Sequence, residues 1–223
     1  MANLVLSDEQ ILLKDTAHRF FTEKTPVIEL RKLRDDQDAD GFSRELWAEM
    51  AEQGWAGVAV QEVYGGVEFG HVGLGLVLEE SGRTLTASPL VSTVLLGANL
   101  LSLGGNDMQR QILLPDLVQG NMLMALALEE GYHHNPTHVA TSAEKMNVGY
   151  RLNGNKTFVL DGHVADKLVV AARTSGEADD ADGITLFLVD GGAAGITRTR
   201  TTMVDSRNAA NITFEDVHVG DNA

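Results

Sequence analysis

Residues 109–128, QRQILLPDLVQGNMLMALAL, contain the point at which this sequence changes from helical to strand-like character. Segments before Gly120 carry apolar residues at helical spacing, whereas 122–128 is a short apolar run of strand length. Helices followed by strands, without βαβ alternation, indicate an α+β arrangement. We therefore predict two domains, an all-helical domain over 1–120 and an antiparallel β-barrel or β-sandwich domain over 121–223.

Five helices are predicted in the first domain from capping and breaking residues. Ser7 and Gln10 form a capping-box pattern that begins the first helix, which ends or restarts at Pro26. Ser43 caps a second helix that ends at Gly54. The other three helices are predicted over 71–83, 90–103 and 107–119, the last kinked or split at Pro115.

Strands in the second domain are predicted from apolar runs separated by turn residues. Asn153-Gly154 is the strongest short hairpin signal in the chain, because this dipeptide suits the tight turn that joins antiparallel strands. We predict that it joins strands over 150–152 and 156–160. Further strands are predicted over 122–128, 168–172, 184–189, 196–204 and 212–219.

Composition limits the class of protein. Hydrophobic residues make up 43% and charged residues 22% of the chain, as in an ordinary globular protein. No apolar run approaches the ~18 residues that span a bilayer, and no secretory signal is recognisable, so we expect a cytoplasmic protein without a membrane span. The absence of cysteine excludes disulfides and thiolate metal sites. The net charge of −15 argues against nucleic-acid partners, whose phosphates require Lys and Arg.

The residues alone indicate little specific chemistry. Dinucleotide-binding, P-loop and nucleophile-elbow motifs do not occur in the sequence. His133, His134 and His138 have a spacing that suits neither one face of a helix nor one face of a strand, and Pro136 favours a loop there. We interpret these histidines as part of a polar loop lining a cleft, and we predict no metal site.

Four segments, in order along the chain, resemble the acyl-CoA dehydrogenase family. They are 60–85, 109–128, 151–166 and 211–219. The first contains Tyr64-Gly65-Gly66 before a helix that ends in Glu-Glu and Gly-Arg, and the third contains Asn153-Gly154 followed by Lys156, as in the family. The amino-acid sequences of 156–168 and 199–210 most resemble those of the small subunits of pimeloyl-CoA dehydrogenases.

The resemblance implies a cofactor and a reaction. Members of this family hold FAD between the β-domain and a C-terminal four-helix domain, which carries the catalytic base and which we expect to be absent here. The base removes the α proton of an acyl-CoA thioester, the flavin accepts a hydride from the β carbon, and an electron-transferring flavoprotein takes the electrons. We assign no catalytic residue, and we expect no turnover of a ferrocenium-type dye by the 223-residue chain alone.

The resemblance also assigns cofactor-binding residues. The family's flavin-contacting strand ends in Thr-Glu-Pro, which falls on 128–130, so main-chain groups of Ala127 and Leu128 are expected to bond the flavin edge. The family's Trp-Ile-Thr falls on Phe158, Val159 and Leu160, and Phe158 is expected to stack on the flavin ring. Leucine replaces both threonines, so two hydroxyl donors of the family pattern are lost.

Two other positions depart from the family pattern near the same strand. Glu130 stands at the family's proline position. The loop that contacts pyrophosphate and CoA in the family is replaced by 131–135, in which His134 is the expected substrate-binding residue.

Three functions are compatible with this pattern. The first is a part of an acyl-CoA dehydrogenase that forms a 2,3-enoyl-CoA, and the second is a non-catalytic binding or assembly subunit of a heteromeric acyl-CoA dehydrogenase. The third is a related flavin-dependent enzyme, an oxidase or monooxygenase, which shares the same first two domains. In each case we expect a homo-oligomer, or a hetero-oligomer with a related subunit, and the sequence leaves the preferred acyl chain open.

Overall fold

The structure is a computed structural model, and it describes residues 5–223. The chain divides into two compact units, Met1–Asn121 and Met122–Ala223, of which the first is helical and the second contains every strand assigned in the described residues. This order of helices and strands confirms the predicted α+β class.

The helical unit contains six α-helices, a π-helix and two short 3₁₀ turns within 5–121. They are α1 (Asp8–Lys24), α2 (Val27–Asp35), α3 (Arg44–Glu52), 3₁₀ turns at Trp55–Gly57 and Glu62–Tyr64, α4 (Gly70–Arg83), the π-helix (Leu90–Ala98), α5 (Asn99–Gly104) and α6 (Asp107–Val118). Phe20, Phe21 and Trp55 pack together with ring centroids 4.9–5.4 Å apart. These rings fix the core of the unit, since large aromatic side chains bury much apolar area.

The predicted caps of the first two helices are confirmed. Ser7 and Gln10 form the capping box of α1, and the Ser43 hydroxyl accepts a hydrogen bond from the Leu46 amide at the start of α3. A separate helix, α2, begins immediately after Pro26. Local capping chemistry therefore determines where these helices begin.

Two helix predictions need correction. The apolar run predicted as one α-helix over 90–103 is a π-helix followed by α5. Most residues of the π-helix are buried, including the polar Ser92 and Thr93, so its sequence has no exposed polar face from which the winding can be read. Helix α6 is not split at Pro115, where the carbonyl that loses its donor belongs to the exposed Gln111.

The β unit is a seven-stranded mixed sheet curled into a half-barrel. Its strands are β1 (Met124–Ala127), β2 (Ser142–Lys145), β3 (Tyr150–Leu160), β4 (Lys167–Arg173), β5 (Ile184–Asp190), β6 (Ile196–Thr202) and β7 (Asn208–Val219). The strand order is β1-β4-β2-β3-β7-β6, with β5 on the other side of β4. The pairs β1–β4 and β2–β4 are parallel, and the remaining pairs are antiparallel as predicted.

The predicted hairpin at Asn153-Gly154 is wrong. Strand β3 runs through both residues, and the turn that joins it to β2 lies at 146–149, where the Met146 amide donates to the Gly149 carbonyl at 3.0 Å. Gly154 has a φ of +152°, and a Cβ there would collide with Thr141. The register against β7 shifts between Leu152 and Gly154. The glycine therefore serves a bulge and a close approach of Thr141.

The core of the β unit is formed by buried side chains of the curled sheet. It includes Leu152, Val159, Val170, Phe187 and Phe214, each 2% exposed or less. Within 5–223, no helix combines the length and apolar character needed to cross a bilayer.

Candidate functional site

Two segments of the β unit are joined side by side at the end of β1. Residues 128–131 follow β1, and residues 156–158 belong to β3. The Thr157 amide donates to the Glu129 carbonyl at 2.7 Å, and the Thr157 hydroxyl donates to the Gly131 carbonyl at 3.2 Å. These bonds bring together the two segments to which the sequence resemblance assigned flavin contacts.

A cleft of about 590 Å³ opens beside these two segments. Its volume lies within the range of small-molecule sites in proteins. It is lined by Glu129, Glu130, Gly131, Tyr132, His133, His134, Thr157, Phe158, Thr201 and Asn211. The lining combines an aromatic ring with hydroxyl, amide, imidazole and carboxylate groups, so it offers both stacking and hydrogen bonding to a ligand.

Phe158 is presented to this cleft by a bulge in β3. The register between β3 and β7 shifts between Lys156 and Val159, and Phe158 between them has a φ of +55°. Phe158 is 56% exposed, while Lys156, two residues before it, and Val159, directly after it, are buried. A non-glycine residue in the left-handed region costs about 1 kcal/mol or more, so the surrounding structure must hold it there. The Asn211 side chain contributes by accepting a hydrogen bond from the Phe158 amide at 3.4 Å.

An ion pair joins the buried Lys156 to Glu130 of the cleft lining. The Lys156 ammonium, fully buried, donates to the Leu128 carbonyl at 2.9 Å and to the Glu130 carboxylate at 2.7 Å. Burial lowers the pKa of Lys156, against the hydrogen bond and charge of Glu130. Burial alone raises the pKa of Glu130, but hydrogen bonds from Lys156, Thr141 and Ala140 outweigh it and hold that pKa below its usual range. The Glu130 carboxylate is therefore ionised at neutral pH.

Two of the three histidines in the loop after β1 contact a carboxylate. His134 Nδ1 lies 2.5 Å from the Glu129 carboxylate, and His138 Nδ1 lies 2.6 Å from the Asp179 carboxylate. In the part of the chain that the structure describes, no three His, Cys, Asp or Glu side chains are grouped as metal ligands would be. His133 and His134 line the cleft, and His138 ties the loop to the acidic segment 177–182.

Arg173 anchors the base of this loop. The side chain, 7% exposed, directs its guanidinium at six backbone carbonyls. They belong to Thr137, Val139, Ser175, Ala178, Asp180 and Asp182, at 2.7–3.3 Å. The Val139 amide also donates to the Ala178 carbonyl at 2.9 Å. Arg173 of β4 therefore holds both the end of the loop over 131–139 and the acidic segment to the sheet.

The structure places the predicted site residues in two groups. Phe158 and His134 line the cleft, and Leu128 contributes a carbonyl that is occupied by Lys156. Ala127 and Val159 are fully buried in the core of the β unit.

Leu160 is half-buried, pairs with Ala209 of β7 and does not line the cleft.

Sequence reasoning missed three polar residues of the lining. Thr157 lies next to Phe158, and its position inside the predicted strand 156–160 was the available signal. Thr201 and Asn211 come from β6 and β7, so their place in the cleft depends on pairing between strands distant in sequence. Sequence alone gives no register for such pairs.

The sequence models of two consecutive domains match the chain. The model described as acyl-CoA dehydrogenase, N-terminal domain, matches residues 7–121, and the model described as acyl-CoA dehydrogenase, middle domain, matches residues 125–217. The chain belongs to the acyl-CoA dehydrogenase family, a class of oxidoreductases, which confirms the resemblance of the four sequence segments.

Known relatives and structures agree with this family. Isovaleryl-CoA dehydrogenase of Pongo abelii is 31% identical, over 96% of this chain and 52% of the relative. The chain spans about half the length of the curated relatives it matches.

Two solved structures share the fold. The ChsE4–ChsE5 complex from Mycobacterium tuberculosis has a TM-score of 0.86 at 25% identity, covering 99% of this chain and 57% of that one. The acyl-CoA dehydrogenase from Bacillus anthracis, complexed with FAD, has a TM-score of 0.85 at 25% identity, covering 100% of this chain and 39% of that one.

Proposed function

We propose that the cleft of the β unit binds FAD and that this chain is the flavin-holding part of an acyl-CoA dehydrogenase, which converts an acyl-CoA thioester to its 2,3-enoyl-CoA. The observation that carries the proposal is the exposed Phe158 ring, held at a positive φ beside polar groups in a cleft of about 590 Å³. An aromatic ring with nearby donors suits a flat heteroaromatic cofactor.

The chain's own residues bind and orient the cofactor in this proposal. Phe158 stacks on the flavin ring, and Thr157, Thr201 and Asn211 offer donors and acceptors around it. Main-chain amides of Ala127 and Leu128 remain the proposed contacts to the flavin edge, because Lys156 already occupies the Leu128 carbonyl. Val159 and Leu160 support the bulge. Bound FAD supplies the acceptor for the hydride that leaves the β carbon of the substrate.

We assign the catalytic base outside the described residues. A base must have a carboxylate free to take the α proton of the thioester. Glu129 contacts His134 and the Asn135 amide, and Glu130 contacts Lys156 and two backbone amides. Both carboxylates of the cleft therefore have other partners.

The proposed partners follow the family. His134 is the proposed contact to the CoA part of the acyl-CoA substrate, because an imidazole at the cleft rim can donate to phosphate. Electrons are proposed to pass to an electron-transferring flavoprotein, and the chain to assemble as a homo-oligomer or with a related subunit.

A second candidate function is a non-catalytic subunit in a heteromeric acyl-CoA dehydrogenase. Leu128 and Leu160 lack the hydroxyls of the family pattern, and a missing donor to a buried polar group typically costs about 1–3 kcal/mol. The similar ChsE4–ChsE5 structure is, by its name, a complex of two chains. Both points favour a chain that holds flavin with a partner's help.

Titration of the purified 223-residue chain with FAD tests the proposal. We expect saturable binding, followed by quenching of flavin fluorescence, and at least tenfold weaker binding by Phe158→Ala because stacking is lost. Leu186→Ala, which removes an exposed apolar side chain from β5 outside the cleft, is the matched control and should bind like wild type.

The outcomes separate the two candidates. Equal FAD affinity in Phe158→Ala and wild type contradicts the proposed site. A colourless chain that acquires flavin only when mixed with a related subunit supports the second candidate instead.

A further inference from the structure

Lys156 is buried where the two segments of the cleft wall, 128–131 and 156–158, lie side by side. Its Nζ donates to the Leu128 carbonyl at 2.9 Å on one segment, and the neighbouring Thr157 amide donates to the Glu129 carbonyl at 2.7 Å. Phe158 follows directly. The side chain of Lys156 is therefore bonded to the same stretch of backbone that faces the cleft.

Glu130 closes the loop that carries the histidines. One carboxylate oxygen accepts from the Ala140 amide at 2.7 Å, and the other accepts from the Thr141 amide at 2.9 Å and from Lys156 Nζ at 2.7 Å. The carboxylate thus joins the residues on either side of the loop over 131–139 and, through Lys156, fixes them to β3.

Stability alone is a poor reason for such a pair. Removing two charges from water is costly, and well-packed apolar residues often replace a buried ion pair without loss of stability. What a bonded ion pair provides is one defined arrangement of the groups around it. Lys156 is fully buried and the Glu130 side chain is 9% exposed, so each is the main partner of the other's charge.

We propose that Lys156 and Glu130 are positioning residues that hold the Phe158 bulge and the 131–139 loop in the arrangement that binds FAD. The inference rests on the proposed FAD site and goes beyond it by assigning a positioning function to Lys156, which lies behind the cleft wall, and to Glu130, which lines the cleft.

The first test compares Glu130→Gln with Glu144→Gln. Glu144 forms an exposed ion pair with Arg151 on the neighbouring strands, outside the cleft. We expect Glu130→Gln to accelerate amide hydrogen exchange in the peptide covering 129–141 by roughly tenfold, because Gln cannot accept from all three donors. FAD affinity should weaken by a similar factor, and the control should change neither quantity.

A second variant separates positioning from folding. The double change Lys156→Met with Glu130→Leu removes both charges and keeps apolar volume, so it should fold with the circular dichroism of wild type. Its melting temperature should be lower, because the Leu128 carbonyl and the Ala140 and Thr141 amides lose a partner. We expect its 129–141 exchange to be fast and its FAD binding weak despite the intact fold.

Three results overturn the inference. They are unchanged loop exchange in Glu130→Gln, unchanged FAD affinity in a variant whose loop exchange has increased, and equal effects in Glu144→Gln. If wild type binds no FAD, the proposed function fails separately, and the exchange difference between Glu130→Gln and Glu144→Gln still decides whether the pair orders the loop.

Discussion

Replacing Arg173 with methionine is expected to release both loops that its guanidinium joins. Methionine has a similar length but no donors, so six backbone carbonyls lose a partner. The bond to the buried Val139 carbonyl, at 2.7 Å, carries most of the effect, since a charged hydrogen bond contributes about 1.5–3 kcal/mol. The other carbonyls lie in surface loops that water can reach. We expect a total loss of about 2–4 kcal/mol in the free energy of unfolding.

The assay is urea unfolding followed by far-UV circular dichroism and by hydrogen exchange. Both tryptophans, Trp47 and Trp55, lie in the helical unit, so their fluorescence serves as an internal control for that unit. Exchange should increase in the peptides covering 131–141 and 174–183.

Two further variants complete this test. Arg173→Lys keeps the charge with fewer donors and should show an intermediate loss. Arg151→Met, which removes an exposed ion pair, should cost less than ~1 kcal/mol. An unchanged urea midpoint together with unchanged loop exchange in Arg173→Met would refute the reasoning.

Two other predictions concern the β unit. Because Glu130 has a folded pKa below its unfolded value near 4.5, it stabilises the fold above that pH and the contribution is lost as pH falls; acid unfolding of Glu130→Gln should therefore show a shallower pH dependence than wild type. Gly154→Ala should destabilise the protein by about 1–3 kcal/mol, because a Cβ would meet Thr141 at a φ of +152°, whereas Gly220→Ala, with open space around it, should be nearly neutral in thermal unfolding. Equal melting temperatures for these two glycine variants would contradict the bulge interpretation.

What the sequence predicted correctly depends on local chemistry. The caps at Ser7 and Ser43 need only residues three positions away, and the change of periodicity after Gly120 separates helices from strands within a short window. Strand β2, Ser142–Lys145, was missed because only Ala143 is buried in it, so it has no apolar alternation. Its existence depends on pairing with β3.

The errors depend on contacts between residues far apart in the fold. Asn153-Gly154 has the composition of a turn, but packing against Thr141 and β7 places it inside a strand. In the candidate site, the family resemblance led to Phe158 and His134, whereas Thr201 and Asn211 reach the cleft through strand register. Lys156 was predicted in a strand, but nothing local indicates that its ammonium is buried against Glu130.

The hydrogen bonds of Arg173 leave the side chains of the two loops free to vary in sequence. Its guanidinium binds main-chain carbonyls, which every amino acid provides. Side chains over 131–136 and 177–182 can therefore be exchanged while the attachment of both loops is kept. The β unit is in this respect a ready scaffold for loop libraries, in which ligand preference is selected by randomising the loops and the anchoring arginine is left in place.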